Sequence, residues 1–259
     1  MRVLAVHADV IVFVSRVWQT TCTAVRASEE GFVIDSPVYP DELDALPQVL
    51  EQAGFPVSGL LATHADWDHL LGRLAFAQAS LACAESSATR LHAEPGAAHR
   101  SLRAFDAEHY VDGRAPLALG GVQALPVPGR LELGPERELE LHPAPGHTAD
   151  GAAYWMPWTE VLVCGDYLSP VEIPMISEGG SLESYLATLE RLSALVEEAE
   201  TIVPGHGSPI DRAQARRVLD EDAAYLEALS ASGSSARLPR GRSTPPQREI
   251  HAQNVARLS

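Results

Sequence analysis

Four residues able to hold a cation, His64, Asp66, Asp68 and His69, fall within six positions directly behind the short apolar run Gly59 to Ala62. An apolar run of this length that ends in a polar loop reads as a buried strand. The stretch Leu70 to Ala79, with Leu70, Leu71, Leu74 and Ala77 at helical spacing, reads as the helix behind it. The cluster is thus placed in a strand-to-helix loop, where the backbone can turn side chains into a common cavity. In extended chain His64, Asp66 and Asp68 fall two apart and share one side, while His69 projects elsewhere. One segment can then serve two adjacent ions, which hydrolytic sites hold roughly 3.5–4 Å apart.

The pattern of an apolar strand delivering a polar residue recurs. Val161 to Cys164 leads into Gly165-Asp166, and Thr201 to Val203 leads into Pro204-Gly205-His206-Gly207. Around these segments the chain falls into two blocks. The first opens with β-rich runs at Val3 to Val6, Val10 to Val14, Thr20 to Arg26 and Gly31 to Ile34. A helix carrying Leu43, Leu46, Leu50 and Ala53 follows; it stops at Gly54 and, because of Pro47, is expected to begin near Asp44. The second block is β-rich from Val122 to Cys164. It continues in a helix capped by Ser181 with a stripe of Leu182, Tyr185, Leu186, Leu189, Leu192, Leu195 and Val196, and in a last helix capped by Asp211 and running toward Leu229. Two blocks that each place strands before helices predict two sheets face to face with helices outside. Residues 93–116, rich in Gly, Pro, His and Arg and without a clean period, read as an insertion or lid. Residues 230–247 read as a flexible connector, and Arg248 to Leu258 as a short helix docking back on the domain.

Charge and residue usage remove other chemistries. All 19 basic residues are arginine, set against 35 acidic ones, for a formal net charge of -16. The absence of lysine excludes a Walker phosphate loop and a Schiff-base lysine. The charge disfavours nucleic acid and anionic membrane surfaces as partners. No Gly-x-Ser-x-Gly elbow and no Gly-x-Gly-x-x-Gly is present. Cys22, Cys83 and Cys164 are odd in number and unpaired in sequence, which points to a reducing compartment, and no secretory signal or membrane-length apolar run is visible, so a cytoplasmic location is expected.

The segment His64-Ala65-Asp66-Trp67-Asp68-His69 resembles the His-x-His-x-Asp-His signature of the metallo-β-lactamase superfamily, with Asp66 in the place of the usual second histidine. Pro145-Gly146-His147-Thr148, Gly165-Asp166 and Pro204-Gly205-His206-Gly207 resemble that family's later landmarks, in the same order. The resemblance covers residues from about Thr20 to Ile210. It implies an α/β chain (α+β), a four-layer αββα sandwich over residues 1–230, with 231–259 as connector and C-terminal helix on the same domain.

It also implies a binuclear centre. One ion would take His64, Asp66 and His147, the other Asp68, His69 and His206, with Asp166 bridging and Asp68 and Asp166 also acting catalytically. The ions expected are two divalent metals, zinc first; the carboxylate Asp66 hardens its site and makes iron or manganese admissible. A metal-bound hydroxide attacking a small carbonyl substrate, an ester, lactone, thioester or amide, is the implied hydrolase reaction. An iron-dependent redox enzyme of the same fold and a non-catalytic binding member are the alternatives. Partners are expected to be a small-molecule substrate, with no nucleic acid and no membrane; a homodimer is allowed. Tyr167 is a weaker candidate for hydrogen bonding to an oxyanion, Trp67 one for lining the pocket, and His142 is expected to lie behind the ligands or in solvent.

Overall fold

The computed structural model describes residues 1–134 and 137–258, so positions 135, 136 and 259, the last at the end of the expected C-terminal segment, lie outside the description. The first sheet takes β1 (Arg2–His7), β2 (Val10–Val14), β3 (Thr21–Ala27), β4 (Glu30–Asp35), β5 (Gly59–Ala62), β6 (Leu81–Ala84) and β7 (Gln123–Leu125) in sequence order. Its pairing is antiparallel through β4 and parallel from β4 to β7. The second sheet orders β13 (Ile210–Asp211), β12 (Thr201–Val203), β11 (Val161–Val163), β10 (Ala152–Met156), β9 (Glu138–Pro143) and β8 (Gly129–Glu132), with one parallel pair, β11 with β12.

Alternation along each strand builds the four layers. In β2, Val10, Val12 and Val14 face the other sheet, where they meet Leu139, Leu141, Tyr154, Met156, Val161 and Val163. Ile11 and Phe13 point the opposite way, against α1 (Pro40–Ala53), whose Leu43, Leu46 and Leu50 are buried. In β10 and β11, Trp155 and Leu162 turn outward beneath α5 (Leu182–Glu198) and α6 (Arg212–Ser232). Each of these fully buried apolar side chains contributes about 1.5–3 kcal/mol, so the three-slab core holds the sandwich without cross-links; all three cysteines are free and buried.

Several elements depart from the sequence reading. α1 begins at Pro40, not near Asp44: Pro40 starts the helix, the buried Glu42 carboxylate accepts the Tyr39 N–H, and Pro47 is carried inside the helix. The helix expected over Leu70 to Ala79 is only α2 (Gly72–Ala75), preceded by a 3-10 turn at Trp67–His69. The chain must turn at Phe76–Ser80 to enter β6. Residues 93–116, read as an insertion or lid without a clean period, hold a regular helix: behind α3 (Glu85–Ala93), α4 (Ala97–Glu108) buries Leu102 and Phe105 on one face.

The C-terminal segment is anchored by polar side chains. Arg242 is buried and donates to Asp222 on α6 and to the carbonyls of Ser169 and Glu172. From α7 (Pro245–Leu258), Gln247 accepts the Ile173 N–H, and Asn254 accepts the Ile176 N–H while donating to the Pro174 carbonyl. These contacts fix the loop 169–177, which forms a wall of the site. Among the described residues, no helix is long and apolar enough to cross a membrane.

Candidate metal centre

The carboxyl ends of β5, β9, β11 and β12 meet at one end of the sandwich and deliver the seven candidate ligands. Local stitching holds the sheets there: Ala152 N–H donates to the Thr63 carbonyl at 2.7 Å, Tyr154 Oη to the Ala62 carbonyl at 2.9 Å, and Thr21 N–H to the Gly205 carbonyl at 2.8 Å.

All seven side chains lie in one cluster. One ligand atom from each of His64, Asp66 and His147 lies within 4.8 Å of the others, and the same holds for Asp68, His69 and His206 and for His64, His69 and Asp166. Asp166 spans the two halves. Its Oδ1 is 3.2 Å from His69 Nε2 and 3.4 Å from His206 Nε2, and its Oδ2 is 3.3 Å from His147 Nε2 and 3.8 Å from His64 Nε2. Asp68 Oδ2 is 3.6 Å from His206 Nε2 and 3.7 Å from His69 Nε2. Asp66 Oδ2 is 3.3 Å from His147 Nε2 and 3.6 Å from His64 Nε2.

Each imidazole is turned by a partner on its other nitrogen. His147 Nδ1 is 2.8 Å from the Met175 carbonyl, His206 Nδ1 3.2 Å from the Trp18 carbonyl and His64 Nδ1 3.0 Å from Thr63 Oγ1, while His69 Nδ1 lies at ion-pair distance, 3.0 Å, from Asp35 Oδ2 without hydrogen-bond geometry. A proton on Nδ1 leaves a lone pair on Nε2, and these lone pairs converge on carboxylate oxygens. Buried His64 Nε2, His69 Nε2 and Asp166 Oδ1 have no hydrogen-bond partner among the described residues. A cation satisfies such a set, so the residues fit a two-metal site.

The electrostatics agree with that reading. Burial alone would lower the histidine values, yet Asp166 and Asp66 outweigh it at His147 and push it up to about 9. At His206, Glu172 and Asp166 outweigh burial and push it up to about 10. Burial likewise works against ionisation of Asp66 and Asp166, but the histidines around them hold both carboxyls well below their usual value. Without metal, protons stand in for the cations. Thiolate chemistry has no place here, because burial pushes all three cysteines up.

Backbone shape matters at Gly205, where an added Cβ would sit 2.1 Å from Asp166 Oδ1. Gly205→Ala is therefore expected to displace the Asp166 carboxylate and lower metal affinity by about 10- to 100-fold or more, read by chelator competition on folded protein. Retention of full affinity would show that the close approach is dispensable.

The other candidates take different places. Tyr167 Oη is buried, accepts the His147 N–H at 2.9 Å and donates to the Ala144 carbonyl at 3.2 Å, so it shapes the His147 turn and is not an oxyanion donor. Trp67 packs against Trp18 and Phe105 and is absent from the residues lining the main cleft. His142 sits on β9, 3.2 Å from Glu140 Oε2. Sequence reasoning missed Asp35, Arg90, Asp150 and Trp18. Asp35 ends the apolar strand β4, which is the same signal that marked Asp166. Arg90 and Asp150 carry no local signal, and Trp18 reaches the cleft through a left-handed backbone with φ 51°.

The cleft above the cluster holds about 340 Å³, with Trp18, Glu172, Met175 and, from α7, Gln247, Glu249 and Ile250 in its walls. Ala97, Ala98 and Ser101 instead line a separate hollow behind Asp66, with Trp67, Arg90 and Glu178.

Known structures share this architecture. A metallo-β-lactamase family protein from Thermus thermophilus matches with a TM-score of 0.68 at 22% identity, over 96% of this chain and 91% of its own. A metallo-β-lactamase from Pontibacter korlensis matches at 0.62 and 18%, over 85% and 97%. TTHA1623, crystallised in a di-iron-bound form, matches at 0.63 and 22%, over 80% and 97%. The family model described as metallo-beta-lactamase superfamily matches residues 15–206, a stretch that contains every candidate ligand from His64 to His206. The chain therefore belongs to the metallo-β-lactamase superfamily.

Proposed function

We propose that this protein is a metal-dependent hydrolase acting on a small carbonyl compound, with His64, Asp66 and His147 holding one ion, Asp68, His69 and His206 the other, and Asp166 shared between them. The observation that carries this reading is the span of Asp166, whose two oxygens each face a different pair of histidines. Two divalent cations so held supply an acidified water and polarisation of a carbonyl oxygen. The residues around them set the rest. The Met175 and Trp18 carbonyls and the Asp35 carboxylate keep the imidazoles aimed, and Asp68 and Asp166 can accept a proton or a hydrogen bond at the floor of the cleft.

Substrate charge is limited by the walls. Glu172, Asp222 and Glu249 join the three ligand aspartates in lining the cleft, and among the described residues no arginine does; the chain has no lysine to offer. Uncharged or cationic substituents are favoured along these walls, where a carboxylate held out of reach of the ions meets Glu249 and has no arginine or lysine to pair with. The test is metal analysis of purified protein with a panel of esters, lactones, thioesters and amides in neutral and carboxylate-bearing versions. Turnover of neutral members at least about tenfold faster than of their anionic counterparts is expected. Equal rates would remove the charge argument, and no turnover on any member with both ions bound would remove the hydrolase.

A second reading, iron redox chemistry, is favoured by Asp66. Each half of the cluster is two histidines and one carboxylate, a donor set that suits non-haem iron as well as zinc. Iron in freshly purified protein, with a visible absorption band bleached by a reductant, would favour it over zinc hydrolysis.

A further inference from the structure

We propose that Arg90 is a positioning residue for the metal centre: its guanidinium takes one oxygen of Asp66 and offsets that carboxylate's charge, so that Asp66 offers a cation only its other oxygen. The inference rests on reading the cluster as a metal centre.

Asp66 is divided between two environments. Its Oδ1 lies 2.8 Å from Arg90 Nη2, while its Oδ2 faces His147 Nε2 at 3.3 Å and His64 Nε2 at 3.6 Å. Arg90 is fixed in turn, because its Nη1 lies 3.0 Å from Asp150 Oδ1. Asp150 is buried, and its Oδ2 accepts the Ala65 N–H at 2.9 Å, so one carboxylate holds both the arginine and the loop that carries Asp66. The planar guanidinium engages both carboxylates at once through separate nitrogens, a geometry that a lysine, donating from a single nitrogen, reproduces only in part.

The chemistry asks for such a partner. A carboxylate with two free oxygens can chelate an ion with both, and it brings a negative charge that an imidazole in its place would not. A guanidinium on Oδ1 removes one of the two donors and part of the charge. Partners of this kind behind a metal ligand typically change affinity by about 10- to 100-fold when removed. Arg90 comes from α3, outside the motifs that carry the ligands, which is why Asp66 alone looked like an isolated departure from the family pattern.

A double-mutant cycle on the full chain tests this, with zinc as probe. Metal-free protein is titrated with zinc against a chromophoric chelator, and its melting temperature is recorded in parallel to establish folding. Arg90→Met is expected to weaken zinc binding by about 10- to 100-fold when Asp66 is present. In an Asp66→His background, where no carboxylate remains to be divided, the same change is expected to alter affinity by no more than about twofold. Equal losses in both backgrounds would overturn the proposal, since Arg90 would then act only through Asp150 and the loop; so would the absence of any loss with Asp66 present. Should Arg90→Met fail to fold, Arg90→Lys carries the same comparison, with a smaller loss beside Asp66 and none beside histidine; losses that match in the two backgrounds overturn the proposal here too. If the unaltered chain binds no zinc, the metal-centre reading itself fails, an outcome separate from those for Arg90.

Discussion

Replacing Asp166 by alanine is expected to leave a folded protein that holds at most one ion and turns over its substrate on the order of 10³-fold more slowly. Among the described residues, the side chain is the one group within 3.8 Å of Nε2 on all four ligand histidines, so its loss removes a donor from both halves at once. Folding should survive, because the contact that Asp166 makes with the helix layer runs through its backbone: the carbonyl accepts the Tyr185 hydroxyl at 3.0 Å. Asp166→Asn is the stricter comparison. It keeps the shape but presents an amide group to one half, and should lose one site more than the other. Metal counting by atomic emission with a kinetic assay decides the matter; two ions per chain with unchanged turnover in Asp166→Ala would remove the shared-ligand assignment.

Metal uptake is expected to release protons and to weaken steeply in acid. In the metal-free protein His147 titrates at about 9 and His206 at about 10, both lifted against burial by facing carboxylates, so both carry protons at neutral pH. A cation needs their neutral form. Loading both halves therefore displaces at least these two protons, and the overall binding constant should fall by roughly 100-fold for each pH unit below about 9. Calorimetric titration at pH 7.5 in buffers of different ionisation heat measures the release directly. A value near zero would contradict the raised histidines.

The same shifts act on stability with a definite sign. Both folded-state values lie above the ordinary 6.5, so the protonated histidines stabilise the metal-free fold. That contribution is complete below about 6.5 and is lost as pH rises through about 9 and 10. Chelated protein should thus melt at lower temperature when pH is raised from 7 to 10, and metal-loaded protein should not share the decline.

The motif residues and the strands that deliver them were legible because their signals are local. Gly59–Ala62 and Thr201–Val203 are short apolar runs that end in ligand types, and Val10–Val14 is an unbroken β-branched and aromatic run that is buried along its whole length. The Ser181 and Asp211 caps were equally legible, since each is a side chain accepting a backbone N–H three residues on. The misread elements are those where tertiary demands override local pattern. Pro47 lies within a helix whose start is set by Glu42 and Pro40, and the apolar residues after His69 yield to the turn that feeds β6.

The sequence by itself determined which residues could be ligands and in what order they reach the site, because ligand chemistry and strand periodicity are properties of the chain at short range. Only the tertiary structure decided what stands behind them. Asp35 behind His69, the Met175 and Trp18 carbonyls behind His147 and His206, and Arg90 behind Asp66 come from four separate segments. The wall that α7 brings over the cleft, with Gln247, Glu249 and Ile250, is equally remote from the ligands in sequence. These partners meet through sheet packing and helix docking, contacts between residues far apart in sequence, and no local periodicity encodes such a meeting.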